Sequence, residues 1–287
     1  MSPLRVDAHQ HFWRYDPLEL AWIDDSLAML RRDFLPEDLA PHLQADGIDA
    51  CVAVQARSTA AETEFLLELA ERHPFVSAVV GWVDLRSPAI EVELDRLRAH
   101  AKLAGFRHIA QAEPDDRFLV SPEFMRGIGA LAKRAFTYDL LVVPRQLPAA
   151  LELARAFPAQ RFVLDHIAKP EIRSGALEPW ATRVRALARL PNVHCKLSGL
   201  VTEADWARFT AADFTPYLEL ILEAFGPSRL MFGSDWPVCL VAASYSRGAA
   251  LVRDFIARLS AREQTAILGG NAAAFYGIGV PPEALDA

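Results

Sequence analysis

An α/β fold, a single (β/α)8 barrel over residues 1–287, is what three features of the chain predict. Eight short apolar, β-leaning runs recur along it, amphipathic helix-like stretches separate them, and no Pro/Gly/Ser-rich linker, fixed repeat or low-complexity tract divides the whole. Several runs are apolar on both faces, as strands are when helices cover one side and a filled barrel interior lies on the other. An open doubly wound sheet would be marked by a GxGxxG turn after a strand, and no run is followed by one. Length agrees, because α/β barrels commonly occupy about 250 residues as one domain.

In such a barrel the active site lies at the carboxyl ends of the strands, so the polar residues that close each run carry the interest. The first run, 4–8, leads into His9 and His11 and a long connection, 13–35. The second, 50–55, closes with Gln55 and Arg57 before a helix over 60–72. The third, 76–83, closes with Trp82 and Asp84 before a helix over 91–103. Arg107 and His108 fall in the fourth run, 104–110, which precedes a helix over 122–134. The fifth run, 138–143, closes with Arg145 before a helix over 148–157, and the sixth, 161–165, with Asp165 and His166 before a helix over 179–190. Lys196 and Ser198 close the seventh run, 193–197, whose helix spans 217–225. The eighth, 230–232, closes with Ser234 and Asp235 before a helix over 243–259, and a terminal helix and tail follow Ala261.

Bulk composition narrows the function. Thirty-seven acidic against 30 basic residues leave a net charge of −7 without a basic block, so nucleic acid is not expected as a partner. A small anionic substrate stays open, because local arginines and lysines set a pocket's field more than net charge does. The three cysteines, Cys51, Cys195 and Cys239, sit in apolar runs without paired spacing, which suits buried thiols in a reducing compartment. The opening residues lack an apolar stretch behind a charged head, and no apolar run approaches the roughly 20 residues of a membrane span. A soluble cytoplasmic protein without a membrane partner is the expectation, and nothing in the sequence speaks to oligomeric state.

Three segments carry chemistry. In Asp7-Ala8-His9-Gln10-His11 the histidines are two apart, so on an extended chain they point the same way, roughly 6 to 7 Å apart at Cα. In Val163-Leu164-Asp165-His166-Ile167-Ala168-Lys169-Pro170 three ionisable residues interrupt a buried strand end, although for this segment alone Asp165 capping a turn and His166 as a hydrogen-bonded core residue are the plainer roles. Asp235 follows a Gly-Ser turn in Leu230-Met231-Phe232-Gly233-Ser234-Asp235-Trp236-Pro237, where a helix N-cap is the plainer role. Together they bring three histidines and a carboxylate to the ends of strands one, six and eight, and in a closed barrel strand eight lies beside strand one. His9, His11, His166 and Asp235 are the ligand set expected for one zinc or similar divalent ion with an open position for water.

The segments Val6-Asp7-Ala8-His9-Gln10-His11-Phe12-Trp13, Gly105-Phe106-Arg107-His108, Leu164-Asp165-His166-Ile167-Ala168-Lys169-Pro170, Lys196-Leu197-Ser198-Gly199-Leu200 and Phe232-Gly233-Ser234-Asp235-Trp236-Pro237 resemble, in order, the sugar lactonase branch of amidohydrolase-related family 2, the branch of the L-fuconolactonase and L-rhamnonolactonase-like enzymes. The resemblance implies a TIM barrel of the metal-dependent hydrolase type that opens the ester of a sugar-acid lactone. It places His9, His11, His166 and Asp235 on the family's active-site motif. No second-metal set is evident, since the fourth strand ends in Arg107-His108 and the fifth in Pro144-Arg145, so at most one metal is expected, and catalysis without metal stays open.

Lactone hydrolysis needs an activated water, a polarised carbonyl and a proton for the leaving alkoxide. Asp235 is the expected general base, and the three histidines either bind a metal or donate directly to the oxyanion. Arg107 and His108 are expected to take part in catalysis, and Trp13, Trp82, Lys169, Lys196 and Trp236 to contact the sugar, with Tyr15 and Trp22 as weaker candidates for its walls. Two rivals share these residues. A metal-dependent decarboxylase of the same superfamily would use Arg57, Arg107 or Arg145 to clamp a carboxylic acid, and a non-catalytic sugar-acid-binding barrel would do without Asp235 as a base.

Overall fold

The computed structural model describes residues 3–279. Eight strands run in chain order: β1 (Val6–Gln10), β2 (Ala50–Val54), β3 (Val76–Gly81), β4 (Leu103–His108), β5 (Thr137–Leu140), β6 (Phe162–Leu164), β7 (Val193–Leu197) and β8 (Leu230–Phe232). They form one sheet in the order β1 to β8, every neighbouring pair parallel. The ring closes just beyond β8, where Asp235 N–H donates to His9 O at 2.8 Å and His11 N–H to Trp236 O at 2.7 Å. Closure therefore falls on the residues predicted to be functional.

Helices cover the outside: α1 (Pro36–Asp46), α2 (Ala60–Arg72), α3 (Ile90–Leu97), α4 (Pro122–Lys133), α5 (Leu147–Ala156), α6 (Trp180–Ala188), α7 (Ala211–Phe225) and α8 (Tyr245–Ile256), followed by the short α9 (Ala261–Thr265) and α10 (Asn271–Tyr276). Local chemistry sets their ends. Thr59 and Ser244 cap α2 and α8 by accepting from the amides of Glu62 and Arg247, and Thr210 with Asp213 makes a capping box for α7. α1 was not named by the sequence pattern. Part of the predicted tail, 280–287, lies outside the described residues.

Period-two alternation divides the strands between two cores. Cys51, Ala53, Phe106, Tyr138, Leu164 and Phe232 pack outward with the helices. Val6, Ala8, Val52, Val54, Val80, Val163 and Met231 form a separate small-residue core inside the barrel, plugged from below by Phe275 and Tyr276 of α10. Above this plug the interior turns ionic. Lys196 of β7 is fully buried, with Nζ 2.5 Å from Asp139 Oδ2, 3.1 Å from Asp165 Oδ1 and 3.1 Å from His9 Nδ1. Tyr276 donates to Asp139 at 2.9 Å. A buried ammonium is tolerable only when charges and acceptors surround it, and here two carboxylates do.

Candidate active site

His9, His11, His166 and Asp235 converge on one point at the carboxyl end of the barrel. His9 Nε2 lies 3.2 Å from His11 Nε2, and Asp235 Oδ1 lies 3.4 Å from His11 Nε2, 3.8 Å from His166 Nε2 and 3.9 Å from His9 Nε2. All four side chains are buried. Each arrives by a different local device. A register shift in the β1–β2 pairing between Asp7 and Gln10 falls at His9. After β6 the chain makes a left-handed turn, His166, Ile167, Ala168 and Lys169 all having φ between 49° and 62°. Such residues cost roughly 1–2 kcal/mol each. Burial of Ile167 and Ala168, and the bond from Trp180 Nε1 to Ile167 O at 2.7 Å, hold the turn.

Two glycines make room. A Cβ on Gly199 would sit 2.5 Å from His166 Nδ1, and one on Gly233 would sit 2.7 Å from His9 Cβ. Asp235 is also left-handed, at φ 59°, and the preceding Ser234 amide is tied to Asp7 Oδ1 at 2.8 Å. Its side chain faces the histidines instead of capping the turn over Val238–Val241. Asp165 is likewise no cap, because its carboxylate meets Lys196, His9 and Arg107.

The donor set fits a cation. His11 Nδ1 donates to the Val54 carbonyl at 2.8 Å, which turns Nε2 toward the cluster. His166 Nδ1 pairs with Ser198 Oγ at 2.9 Å, and His9 Nδ1 lies 3.3 Å from Asp165 Oδ1. Burial lowers the His166 imidazole to about 4, against the pull of Asp235, and, with Lys196, holds that of His9 well below its ordinary value. Burial would raise the Asp235 carboxyl, but His166, His11 and His9 outweigh it and keep it ionised well below the usual carboxylate range. Three imidazoles and a carboxylate thus crowd their polar atoms together, and a positive ion can take the place of the protons they share. His9, His11 and Asp235 each bring a ligand atom within 4.8 Å of one another, a three-ligand set of the kind that leaves a zinc coordination position open for water, and His166 stands beside it with Nε2 3.8 Å from Asp235 Oδ1. A second grouping, His9, Asp165 and His166, shares the same atoms' neighbourhood, but Lys196 and Arg107 already supply its Asp165 with positive charge.

Above the cluster opens a cavity of about 550 Å³. His11, Arg107, His108, His166, Lys169 and Asp235 line it, whereas His9 and Lys196 lie beneath its floor. Arg107 is pinned through Nη1 to Asp165 Oδ2 at 3.0 Å and through Nη2 to Gln55 Oε1 at 3.1 Å, with Nη1 also 3.2 Å from His9 Nε2. His108 accepts from Trp82 Nε1 at 3.2 Å and donates through Nε2 to Glu113 at 2.7 Å, so both ring nitrogens are engaged within the protein. Lys169 pairs with Glu203 at 3.0 Å.

The predicted tryptophans are placed differently from expectation. Trp13 and Trp236 do not line the cavity: Trp13 is fully buried against Phe34 and bonded to Arg32 O, and Trp236 packs on Phe12 and Phe34. Trp82 reaches the site only through His108. Lys196 does not reach outward to solvent or sugar, because Asp139 and Asp165 hold its ammonium inside. Trp22, Trp206, Glu113 and Glu203 line the cavity instead. Asp139, a carboxylate within an apolar run, was a visible signal of the ionic interior, whereas the loop residues Glu113, Glu203 and Trp206 carried none.

An eight-stranded parallel barrel with a three-histidine, one-aspartate cluster at its carboxyl end defines a hydrolase-type site of the amidohydrolase kind. The chain belongs to the amidohydrolase family, whose pattern it matches over residues 6–278. It is 46% identical to an L-fucono-1,5-lactonase of Burkholderia multivorans, over 99% of each chain. A crystal structure of an amidohydrolase from the same species with bound zinc superposes with a TM-score of 0.93 at 46% identity, covering 96% of this chain and 100% of that one. A 2,6-dihydroxybenzoate decarboxylase from Rhizobium, 14% identical over 96% of this chain and 99% of its own, superposes with a TM-score of 0.69 and shares the fold alone.

Proposed function

We propose that the chain hydrolyses the ring ester of a sugar-acid lactone of the L-fucono-1,5-lactone type, with Asp235 as the group that moves the proton. The observation that carries this is a buried carboxylate at the cavity wall, ringed by three imidazoles. Asp235 accepts a proton from water as its oxygen bonds to the lactone carbonyl carbon. When the bond from that carbon to the ring oxygen breaks, the same proton passes to the departing alkoxide and an open-chain hydroxy acid results. Arg107, immobilised by Asp165 and Gln55, holds a fixed positive charge at the cavity against the developing oxyanion. Glu113, which accepts from His108 Nε2 and lines the cavity, presents its carboxylate to the sugar hydroxyls.

His9, His11, His166 and Asp235 would hold one divalent ion, for which three nitrogens and one oxygen favour zinc, and it would polarise the carbonyl and acidify the attacking water. The relative named an L-fucono-1,5-lactonase supports the substrate class. The occupancy of two arginines supports hydrolysis over decarboxylation: Arg57 is paired with Glu62 and Glu19, and Arg145 with Asp116.

A panel of aldonolactones followed by pH-indicator absorbance, before and after prolonged chelation, tests the proposal. Acid release on L-fucono-1,5-lactone that vanishes on chelation and returns with zinc is the expected result. Survival of full turnover after chelation would leave the histidines as direct oxyanion donors, and no turnover on any lactone would overturn the function.

A further inference from the structure

We infer that the apolar sector of the cavity, carried by the loops after β7, β8 and β1, receives the exocyclic carbon of the lactone and selects a methyl group there over a hydroxymethyl group. This rests on the lactone reading above. In a 1,5-lactone the ring oxygen is bonded to the carbon that also bears the sixth carbon. The group that protonates that oxygen, Asp235, stands at the start of the loop after β8, so the exocyclic carbon falls beside this loop. The cavity-lining side chains that follow Asp235 there are Val238 and Val241.

The flanking loops extend the same surface. Trp206, from the loop after β7, and Trp22 with Leu27, from the loop after β1, also line the cavity. Because β7, β8 and β1 are successive in the closed ring, these side chains belong to one sector. Trp22 and Trp206 stay 40% and 39% exposed, which is unusual for tryptophan unless the face is kept for a partner or ligand. Their orientation is fixed: Trp22 packs edge-on against buried Trp13, and Trp206 donates its indole N–H to Thr202 O at 2.9 Å. Trp206 therefore has no donor left for a sugar, only its apolar ring. The Thr202 hydroxyl is taken by Gly199 O at 2.8 Å. The charged pairs, His108 with Glu113 and Lys169 with Glu203, are anchored on the loops after β4 and β6, only Glu203 sharing the loop after β7 with Trp206.

A hydroxyl placed among Val238, Val241 and the Trp206 ring would lose its water without gaining a partner, whereas a methyl group would gain contact. The expected discrimination is about 10- to 100-fold in kcat/KM, the range over which an apolar pocket rejects an added hydroxyl. The experiment compares L-fucono-1,5-lactone with L-galactono-1,5-lactone, which share ring stereochemistry and differ by that one hydroxyl. The readout is their ratio of kcat/KM on one preparation, so any loss of folded enzyme cancels. A ratio in the stated range in the parent protein, falling severalfold in Val238→Thr or Val241→Thr, supports the subsite. A parent ratio near one, or a ratio unmoved in both variants, overturns it while leaving lactone hydrolysis standing. No turnover of either lactone overturns the lactone reading and the subsite with it.

Discussion

Asp235 has three imidazole neighbours and no cation of its own side chain's making, so its reactivity depends on remaining ionised in a buried place. Asp235→Asn keeps the shape but removes the proton acceptor. We expect kcat to fall by about 10²- to 10⁴-fold, the usual worth of a positioned general base, while equilibrium binding of the hydroxy-acid product persists. Unchanged kcat in steady-state assays would remove Asp235 from the mechanism. A second residue speaks to pH. His194, at the barrel's lower end against Phe275, is lowered to about 4 by burial, then by Arg229 and Arg161. Its folded value lies below the unfolded 6.5, so between those values the unfolded chain takes up a proton that the folded chain refuses, and stability falls as pH drops. His194→Gln removes that penalty. Its melting temperature should fall less than the parent's between pH 7 and pH 5 in circular dichroism scans, and parallel losses would show that this histidine titrates alike in both states.

At the scale of elements, the left-handed turn after β6 and the glycine at the end of β7 form one device. Gly199, itself at φ 61°, lets the His166 ring pass where a methyl group would stand 2.5 Å away. Gly199→Ala must therefore displace His166 or strain the turn, at a cost of roughly 1–3 kcal/mol. Displacement predicts weakened zinc binding by isothermal titration with a modest loss in melting temperature. Full zinc affinity would mean that the backbone yields instead of the histidine. The eight strands were legible because buried parallel strands read as continuous apolar runs, and their ends were legible because charge so rarely interrupts such runs. The turn geometry was not: nothing in His166-Ile167-Ala168-Lys169 suggests four left-handed residues, least of all a β-branched one. Lys196 was visible at a strand end, but its inward direction depends on Asp139 and Asp165, contributed by two other strands. Trp13 and Trp236 read as candidate sugar walls for the same reason that Trp206 went unnoticed, since which aromatic faces a cavity is decided by loop paths that no period encodes. α1 escaped because its sequence, with Pro36 and Pro41 inside, has a weak apolar stripe.

For the whole molecule, the four convergent acceptors make ion binding a matter of stability as well as catalysis. His9 comes from β1, His11 from just after it, His166 from the turn after β6 and Asp235 from the loop after β8, so an ion held among them ties both sides of the ring closure to the turn after β6. The unfolded chain has no such preformed set, and whatever binds only the folded state stabilises it by mass action. At a free zinc concentration one hundred times the dissociation constant the gain is about 2.7 kcal/mol. For a chain of this size each kcal/mol moves the melting temperature by roughly 2–4 °C. Chelated protein titrated with zinc should therefore gain about 5–10 °C, rising with the logarithm of concentration above the dissociation constant. In His11→Ala the gain should shrink sharply. Chelation also leaves three imidazoles crowded on the Asp235 carboxylate in the parent, a crowding that His11→Ala reduces. Differential scanning calorimetry of both proteins separates the effects: a zinc-dependent rise in the parent that His11→Ala abolishes locates the ion at this cluster, and an equal rise in the two proteins places it elsewhere on the molecule.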